Sequence, residues 1–447
     1  MEEALTILII GGGGGEHAIS LAYEKSPKVK KIIISPGNDF IKYGRKKEVI
    51  VDSESSLKDP YSILKIAEKY KPDIVDVAQD DALSSGAVNL LKAKGYAVFG
   101  PTKEAAQIES DKKWSREFQA RHGIPQPNWI SFDGPEPAKE KLKSMYSEKP
   151  NQILWIKANG LAEGKGVIKA ENIDEAYAAV DRMKDFGEAG EIFLIEENMP
   201  GEEFSIYAIS DGKSWHVFKS AQDNKRVFEG DKGPNTGGMG AISPAMVTRG
   251  SEDEIESEMI AKVIRGLEKE GRPFVGVLYL GGIKTKDGLR VIEYNARWGD
   301  PEAQVVVPGL ITDYVDIVKA AINGNLSNLE IQEDNKTRVC IVGASRGYPG
   351  DYSDVKRRRI LGLEEVMKLP GIQVFGAGIE VVDGKFYANG GRLFSVVAEG
   401  DNIVEARGRG NYAMEIISID GDTLETKYLH SRRDMGLRDE MRFRQVA

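Results

Sequence analysis

Cysteine is almost absent from the 447-residue chain: Cys340 is the only one, so no intrachain disulfide can form and a reducing cytoplasm is the default compartment. It sits in a strand-like run, Thr337 to Gly343, where a free thiol ordinarily serves as a small core residue. Long apolar runs are missing as well. The longest near the N-terminus, Leu5 to Ile10, is too short for the core of a signal sequence or for a membrane span. Heptads, internal repeats and low-complexity tracts are absent. So is any excess of positive charge: 61 Lys and Arg against 70 Asp and Glu leave −9, which argues against a nucleic-acid binder but leaves room for a local basic pocket. No pairing of serine or cysteine with histidine suggests a nucleophile. What remains is an ordinary soluble composition, 41% apolar and 29% charged. Its length suits about two to four domains.

One stretch organises the rest: Val291-Ile-Glu-Tyr-Asn-Ala-Arg-Trp-Gly-Asp-Pro-Glu-Ala-Gln304. Apolar and polar residues alternate with period two, which predicts a strand. Ile292, Tyr294 and Ala296 then face the core. Glu293, Asn295 and Arg297 share the other face, with same-face neighbours roughly 7 Å apart. Hard divalent cations take oxygen ligands and share them with phosphates. An arginine fork suits a transferring phosphoryl group or a carboxylate. The plain alternative is an edge strand with a solvated polar face. Two more carboxylates, Asp300 and Glu302, follow in the turn after Trp298.

Upstream, strands and helices alternate. Strands are predicted at Leu5–Ile10, Lys31–Ile34, Asp73–Ala78 and Tyr96–Phe99, and helices from Glu16, over Pro60–Tyr70 and over Leu83–Lys94. Such alternation means a parallel α/β sheet. The glycine run Gly11–Gly15 invites a dinucleotide reading, which fails twice. The pattern G-x-G-x-x-G started at Gly11 meets Glu16 where glycine is needed, and Ser35 and Pro36 stand where the second strand should end in an acid. Glycines ahead of a helix N-terminus still suit a phosphate or another anion.

Thr102 caps a helix predicted to run to His122, carrying Lys112, with Gly123 as its stop. Strands follow at Gln152–Lys157, Gly166–Ala170 and Ile192–Glu197, and Glu203–Ile209 is read as continuing the same sheet after a turn at Pro200-Gly201. Asn325–Lys336 is polar and reads as a linker to a small α+β domain, whose basic run Lys356–Arg359 reads as a solvated face.

Two glycine-rich loops carry the other candidates. Asn159-Gly-Leu-Ala-Glu-Gly-Lys-Gly166 joins two strands and misses the P-loop at both ends, with Asn159 in place of glycine and Gly166 in place of serine or threonine. Such a hairpin can lie over phosphates as a flap, with Lys157 and Lys165 supplying charge. A plain hairpin tip is the alternative. Gly233-Pro-Asn-Thr-Gly-Gly-Met-Gly240, with Gln222-Asp-Asn-Lys-Arg226 ahead of it, gathers acid, base and amide on a flexible backbone, as binding loops do. A surface Ω-loop is the alternative.

In this order the segments resemble the ATP-grasp superfamily and, within it, the phosphoribosylamine–glycine ligases, or glycinamide ribonucleotide synthetases. The resemblance rests on Phe99-Gly-Pro-Thr102, Ile156 to Val167, Gln222 to Arg226, Gly233 to Gly240, Glu293 to Glu302, Gly347 to Asp351 and Asn389-Gly-Gly-Arg392, and covers nearly the whole chain. It implies an N-terminal parallel α/β substrate domain (1–101), a two-lobed ATP-grasp unit (102–335) with a small flap lobe near 128–197, and a C-terminal α+β domain (336–447). It implies ATP between the lobes, held by Lys112, Lys157 and the flap residues Gly164, Lys165 and Gly166, with Glu196 at the adenine edge and Glu203 on the ribose hydroxyls. Glu293 and Asn295 are the implied ligands of Mg²⁺ or Mn²⁺. The preceding strand, Tyr279–Ile283, offers no second carboxylate, so any second metal leans on Glu293 or on phosphates.

The implied reaction activates glycine as glycyl phosphate, and the amine of 5-phosphoribosylamine displaces the phosphate. Catalysis is then positioning and charge neutralisation, with Arg297 and Lys165 as the catalytic residues. Substrate contacts are implied for Gly14, Glu16 and Asp80, for Asp223, Lys225, Asn235, Thr236, Gly237 and Gly238, for Asp300 and Glu302 on the glycine ammonium, and for Arg392 on the 5′-phosphate. The implied partners are small molecules (glycine, phosphoribosylamine and ATP) in the cytoplasm, with no nucleic acid, membrane or obligate protein partner. The chain departs from the family at Gly15, usually arginine; at Ala78-Gln79-Asp80, usually Gly-Pro-Glu; at Asn159, commonly aspartate; and at Asn224, commonly histidine. The first two bear on the amine substrate more than on ATP. Two other readings stay open: an acid–amine ligase of the same superfamily acting on a related ribonucleotide, and a non-catalytic nucleotide-binding relative. Intact Lys165, Glu293, Asn295 and Arg297 speak against the second.

Overall fold

Five parallel strands open the chain, side by side in the order Glu48–Val51, Val29–Pro36, Leu5–Gly11, Ile74–Val77, Val98–Phe99. The computed structural model describes residues 4–162 and 164–446, so Glu163 of the glycine hairpin lies outside it. Ile7, Leu8, Ile9 and Ile10 are all fully buried, as a parallel strand covered on both faces requires. The edge strand Glu48–Val51 escapes the sequence reading because it is short and only half-buried. Two helices foreseen as single are each two. Gly86, left-handed at φ +89°, separates Asp80–Ser85 from Ala87–Ala93. Asp111 separates Lys103–Ser110 from Lys112–Arg121, because its extended backbone ends the first helix and its carboxylate accepts the Trp114 N–H at 2.9 Å. That break makes Lys112 the first residue of a helix.

The chain beyond His122 builds two antiparallel sheets. The first runs Trp129–Phe132, Phe193–Glu197, Leu154–Ala158, Val167–Ala170. It has its own apolar core, where Ala138 and Leu142 of the helix Pro135–Glu148 meet Ile156 and Phe193. That helix and the strand Trp129–Phe132 are additions to the sequence reading. The second sheet runs Trp215–Val217, Gly201–Asp211, Val275–Thr285, Gly288–Asn295. Glu203 belongs here. The expected continuation of the Phe193–Glu197 sheet is therefore corrected: the turn ahead of Gly201 hands the chain from one sheet to the other.

The Gly288–Asn295 strand carries a bulge. Gly282 faces Val291 and Gly281 faces Glu293, so Ile292 is the extra residue. Leu289, Val291, Tyr294 and Ala296 lie in the core, whereas Ile292, expected beside Tyr294, turns to a cleft lined by Glu203, Lys225 and Tyr279.

Thr337–Ser345, Arg392–Gly400 and Ile372–Gly376 extend a sheet begun by Gln222–Asp223 and Gly240–Ser243, so both ends of the second glycine-rich loop are fastened to the C-terminal sheet. Cys340 is fully buried there, and burial pushes its thiol up to about 12. A small sheet through Arg359–Leu361 and Lys385–Ala388, the helix Ile403–Ile416 and a last helix, Leu437–Val446, complete this part. The segment 325–336, expected as a linker, is packed instead: Leu326 and Ile331 are buried, and Glu333 accepts the Lys219 N–H at 3.1 Å. Lys356, Arg357 and Arg359 are exposed, as a solvated face requires. Among the described residues no helix is long and apolar enough to cross a membrane.

Beneath the N-terminal sheet Tyr23 donates to Asp76 at 2.8 Å, and both are buried. Burial pushes the Asp76 carboxyl up to about 7. The folded state then holds a proton that the unfolded chain releases, so this group's contribution to stability falls as pH rises from the ordinary aspartate value towards 7. Asp76→Asn keeps an acceptor for Tyr23 and removes the buried ionisation. Its stability advantage over the wild type is expected to grow between about pH 4 and about pH 7, to on the order of 2–4 kcal/mol. Thermal unfolding across that range checks this; a difference independent of pH would refute it.

Candidate active site

The helix start at Lys112 meets the base of the glycine hairpin. Lys112 N–H donates to Asn159 O at 3.1 Å, Lys113 N–H to Asn159 Oδ1 at 2.7 Å, and Lys112 Nζ to Gly160 O at 3.2 Å. Asn159 thus serves the helix N-terminus, with its side-chain oxygen in the acceptor role an aspartate would also fill. Lys157 pairs with Glu196 at 2.7 Å, and Arg116 forks onto the same carboxylate at 2.7 and 2.9 Å. Burial alone would raise Glu196, but the two cations hold it at about 2. Both its oxygens are engaged, so at this edge the Glu196 side chain acts as a strut between lobes. Sequence reasoning missed Arg116, although a second cation one helical turn after Lys112 was a usable sign.

Glu293 faces four cations. Burial would raise it, but Lys225, Lys157, Lys112 and Arg297 together hold it below the usual range. Yet its carboxylate makes no hydrogen bond or ion pair among the described residues, while Lys112 and Lys157 bond elsewhere. Two positions on, the buried Asn295 Nδ2 has no partner, and the two ends of an amide are interchangeable by a flip. Gly281 stands opposite Glu293 and Tyr279 opposite Asn295, so the neighbouring strand adds no carboxylate. No group of three or more His, Cys, Asp or Glu among the described residues is placed to hold a metal. Glu293 and Asn295 therefore fit a hard cation only if further oxygens come from a ligand.

Arg297 leaves the strand end towards Glu109, 3.2 Å away, with Asp80 at 3.8 Å from the same nitrogen. Glu109 also accepts the Ala296 N–H at 2.8 Å, and burial pushes it up to about 7 despite Arg297. Glu109 escaped the sequence reading, since one acid near a helix end forms no pattern.

Glu302 is buried and accepts the Ser205 hydroxyl at 3.0 Å. Burial, and then Glu302, push Asp223 well above the carboxylate range. Lys225 lies 3.5 Å from Glu203. Thr236 donates to Lys225 O at 2.8 Å, Gly237 N–H donates to Tyr348 Oη at 3.0 Å, and Gly238 packs on Pro301 and Asp223. Asn235 is exposed and paired with Arg226 in a short ladder. Arg392, expected on a phosphate, here donates to Gly237 O at 2.6 Å and Asp300 O at 2.8 Å and so fastens the second loop to the Asp300 turn.

The glycine turn at the first helix is occupied by the chain's own acids. Glu16 accepts the Gly12 and Gly13 N–H groups at 3.1 and 2.5 Å, and Asp300 accepts that of Gly15 at 3.2 Å. The anion expected there is thus a pair of protein carboxylates. A Cβ at Gly14 would stand 2.6 Å from Gln304 Nε2, so the turn is pressed against the short helix Ala303–Val306. Flap residues Gly164 and Lys165 are exposed, whereas Gly166 is buried against Ala158 and Ala162. Four buried polar atoms around the segment 295–304 have no hydrogen-bond partner among the described residues: Tyr207 Oη, Asp223 Oδ1, Asn295 Nδ2 and Gln304 Oε1. Buried polar groups are nearly always satisfied, so these atoms are open to a polar partner.

Three family models match in succession: the N domain of phosphoribosylglycinamide synthetase over residues 5–109, its ATP-grasp (A) domain over 110–303 and its C domain over 338–438. The phosphoribosylamine–glycine ligase of Caldanaerobacter subterraneus subsp. tengcongensis is 39% identical over 421 residues, 93% of this chain and 97% of that protein. The chain belongs to the phosphoribosylglycinamide synthetase family. The trifunctional purine biosynthetic protein adenosine-3 of Bos taurus is 38% identical over 440 residues, and the chain spans only 42% of that longer protein. A crystal structure of the phosphoribosylamine–glycine ligase from Thermotoga maritima superposes with a TM-score of 0.78 at 28% identity, covering 96% of this chain and all of that one. A synthetase of this family therefore has the parallel N-terminal sheet and two-lobed unit seen here.

The turn that carries Asp300 tolerates no side chain at Gly299. A Cβ there would stand 2.2 Å from the hydroxyl of the fully buried Tyr207 and 2.6 Å from Glu302 Oε2. Gly299→Ala is expected to destabilise the protein by about 1–3 kcal/mol and to alter the fluorescence of Trp298. An unchanged unfolding midpoint and an unchanged emission spectrum would show the turn to be slack.

Proposed function

We propose that the chain joins glycine to 5-phosphoribosylamine at the expense of ATP, giving glycinamide ribonucleotide, ADP and phosphate in purine biosynthesis. The observation that carries this reading is Glu293, in the field of four cations and bonded to none, beside an Asn295 amide with one end unpaired. Family membership supports it. A glycine carboxylate oxygen attacks the γ-phosphorus of ATP and ADP leaves. The amine nitrogen then attacks the acyl carbon, releasing phosphate and a proton.

On this reading Lys112, Lys157 and the flap residues Gly164, Lys165 and Gly166 offset triphosphate charge, and Glu203 accepts from the ribose hydroxyls. Arg297, aimed by Glu109, holds the transferring phosphoryl group. Glu302, with Asp223 ionising beside it once a cation arrives, suits the glycine ammonium better than Asp300, which is committed to Gly15, Gln304 and Arg392. Gly14, Glu16 and Asp80 border the amine substrate. A Mg²⁺ or Mn²⁺ ion held by Glu293, Asn295 and phosphate oxygens would offset the charge that develops on the triphosphate. The single buried thiol suits a reducing cytoplasm.

Sustained ADP release is expected only with glycine and phosphoribosylamine both present. Turnover on a different acid or amine, with none on this pair, would overturn the substrate assignment. Glu293→Ala is expected to hold turnover below about a tenth of wild type, since losing a metal ligand costs several kcal/mol of barrier, with little change in the unfolding midpoint. Activity above that level removes the metal role.

A further inference from the structure

The match to the family's C domain ends at residue 438, but the last helix runs on to Val446 and reaches the strand that bears Glu203 through an arginine. Arg442 forks onto Glu202: Nη1 stands 2.9 Å from Oε1 and Nη2 pairs with Oε2. Arg442 also bonds Asp439 at 3.1 Å. Asp439 is 1% exposed and accepts the Met246 N–H at 2.7 Å, so the helix is seated by a buried acid. Arg407 of the helix Ile403–Ile416 pairs with Glu440 and donates to Met435 O at 2.7 Å, which fixes the helix start.

On its other side Glu202 meets Gln222, whose Nε2 donates to Glu202 Oε1 at 3.0 Å and to Glu203 O at 2.8 Å. Gln222 immediately precedes Asp223, and the pair forms one short strand. One run of hydrogen bonds therefore leads from Arg442 through Glu202 and Gln222 to the main chain of Glu203 and to the strand of Asp223. An isolated exposed ion pair contributes little. This one is two-pronged, backed by a buried acid and shared with an amide, so it fixes direction as well as distance.

We propose that Arg442 is a positioning residue for nucleotide binding, with the last helix clamping Glu202 so that Glu203 presents its carboxylate to the cleft. This rests on the reading of Glu203 as the ribose ligand. Glu202 and Glu203 are neighbours on a strand and point to opposite faces, so fixing one orients the other.

The test is steady-state kinetics of the full chain, with Arg442→Ala, Arg442→Lys and Glu203→Ala measured beside the wild type. Arg442→Ala is expected to raise the KM for ATP about three- to tenfold, leaving kcat within about twofold and the KM for glycine unchanged, because only the ribose edge moves. Arg442→Lys keeps the charge without the fork and is expected to recover part of the loss. If all Michaelis constants rise together, or if the unfolding midpoint falls while none moves, the helix is a structural brace and the proposal is overturned. If Arg442→Ala does not fold, Arg442→Lys decides: a rise confined to the KM for ATP supports the clamp, and wild-type kinetics overturn it. An unchanged KM for ATP in Glu203→Ala removes the ribose reading and the clamp with it. A raised KM there with wild-type kinetics in both Arg442 variants overturns the clamp alone.

Discussion

A buried guanidinium holds the two lobes in register. Arg116 forks onto both oxygens of Glu196 in one sheet and donates to the carbonyls of Val291 and Ile292 in the other, at 3.3 and 2.7 Å. Taking such charges out of water is costly, and attraction offsets the cost only where the geometry is good and the remaining donors find acceptors. Here they do: Arg116 Nη1 also meets Gln119 at 3.1 Å. Removing one partner of such a pair costs about 3–5 kcal/mol, because the other is left charged and buried. The gain is geometric. The carbonyls that Arg116 collects are those of the bulge, and the bulge turns Ile292 to the cleft and sets Glu293 opposite Gly281. Lys112 stands one turn away on the same helix. A single side chain thus ties together the small-lobe strand, the helix that begins with Lys112 and the strand that carries the acid.

Much of this was legible in the sequence wherever the signal was a repeat. The unbroken Ile-rich run pointed to the parallel strand, and period-two alternation put Glu293 and Asn295 on one face, whereas Arg297, read onto the same face, lies just past the strand end. The same alternation failed at Ile292, because a bulge inserts one residue and shifts the phase without leaving a mark in composition. Helix breaks at Gly86 and Asp111 were readable only by weighing one residue against a long apolar period, and the longer pattern prevailed. Glu109 and Arg116 were not legible at all. Each looks like a solvated helix residue until its partner arrives, and that partner lies 187 residues away for Glu109 and 80 for Arg116. Pairings of that range belong to the tertiary fold. The sheet change before Glu203 has the same origin, since the turn is local but the choice of partner strand is not.

Long range also explains the glycine turn at the first helix. A helix N-terminus behind glycines is a ready anion site. In this chain Glu16 supplies one carboxylate from three residues ahead and Asp300 supplies another across 285 residues. The N–H groups of Gly12, Gly13 and Gly15 are therefore already engaged within the protein. Burial, and then the charge of Asp300, push Glu16 up to about 7, so the two acids repel as well as share the turn. Arg392 stands 3.3 Å from Asp300 and relieves part of that repulsion while holding the second loop in place. A phosphate entering here would have to displace a carboxylate and overcome its charge. The glycines of this turn thus serve to bring the N-terminal sheet, the Asp300 turn and the Arg392 strand into contact.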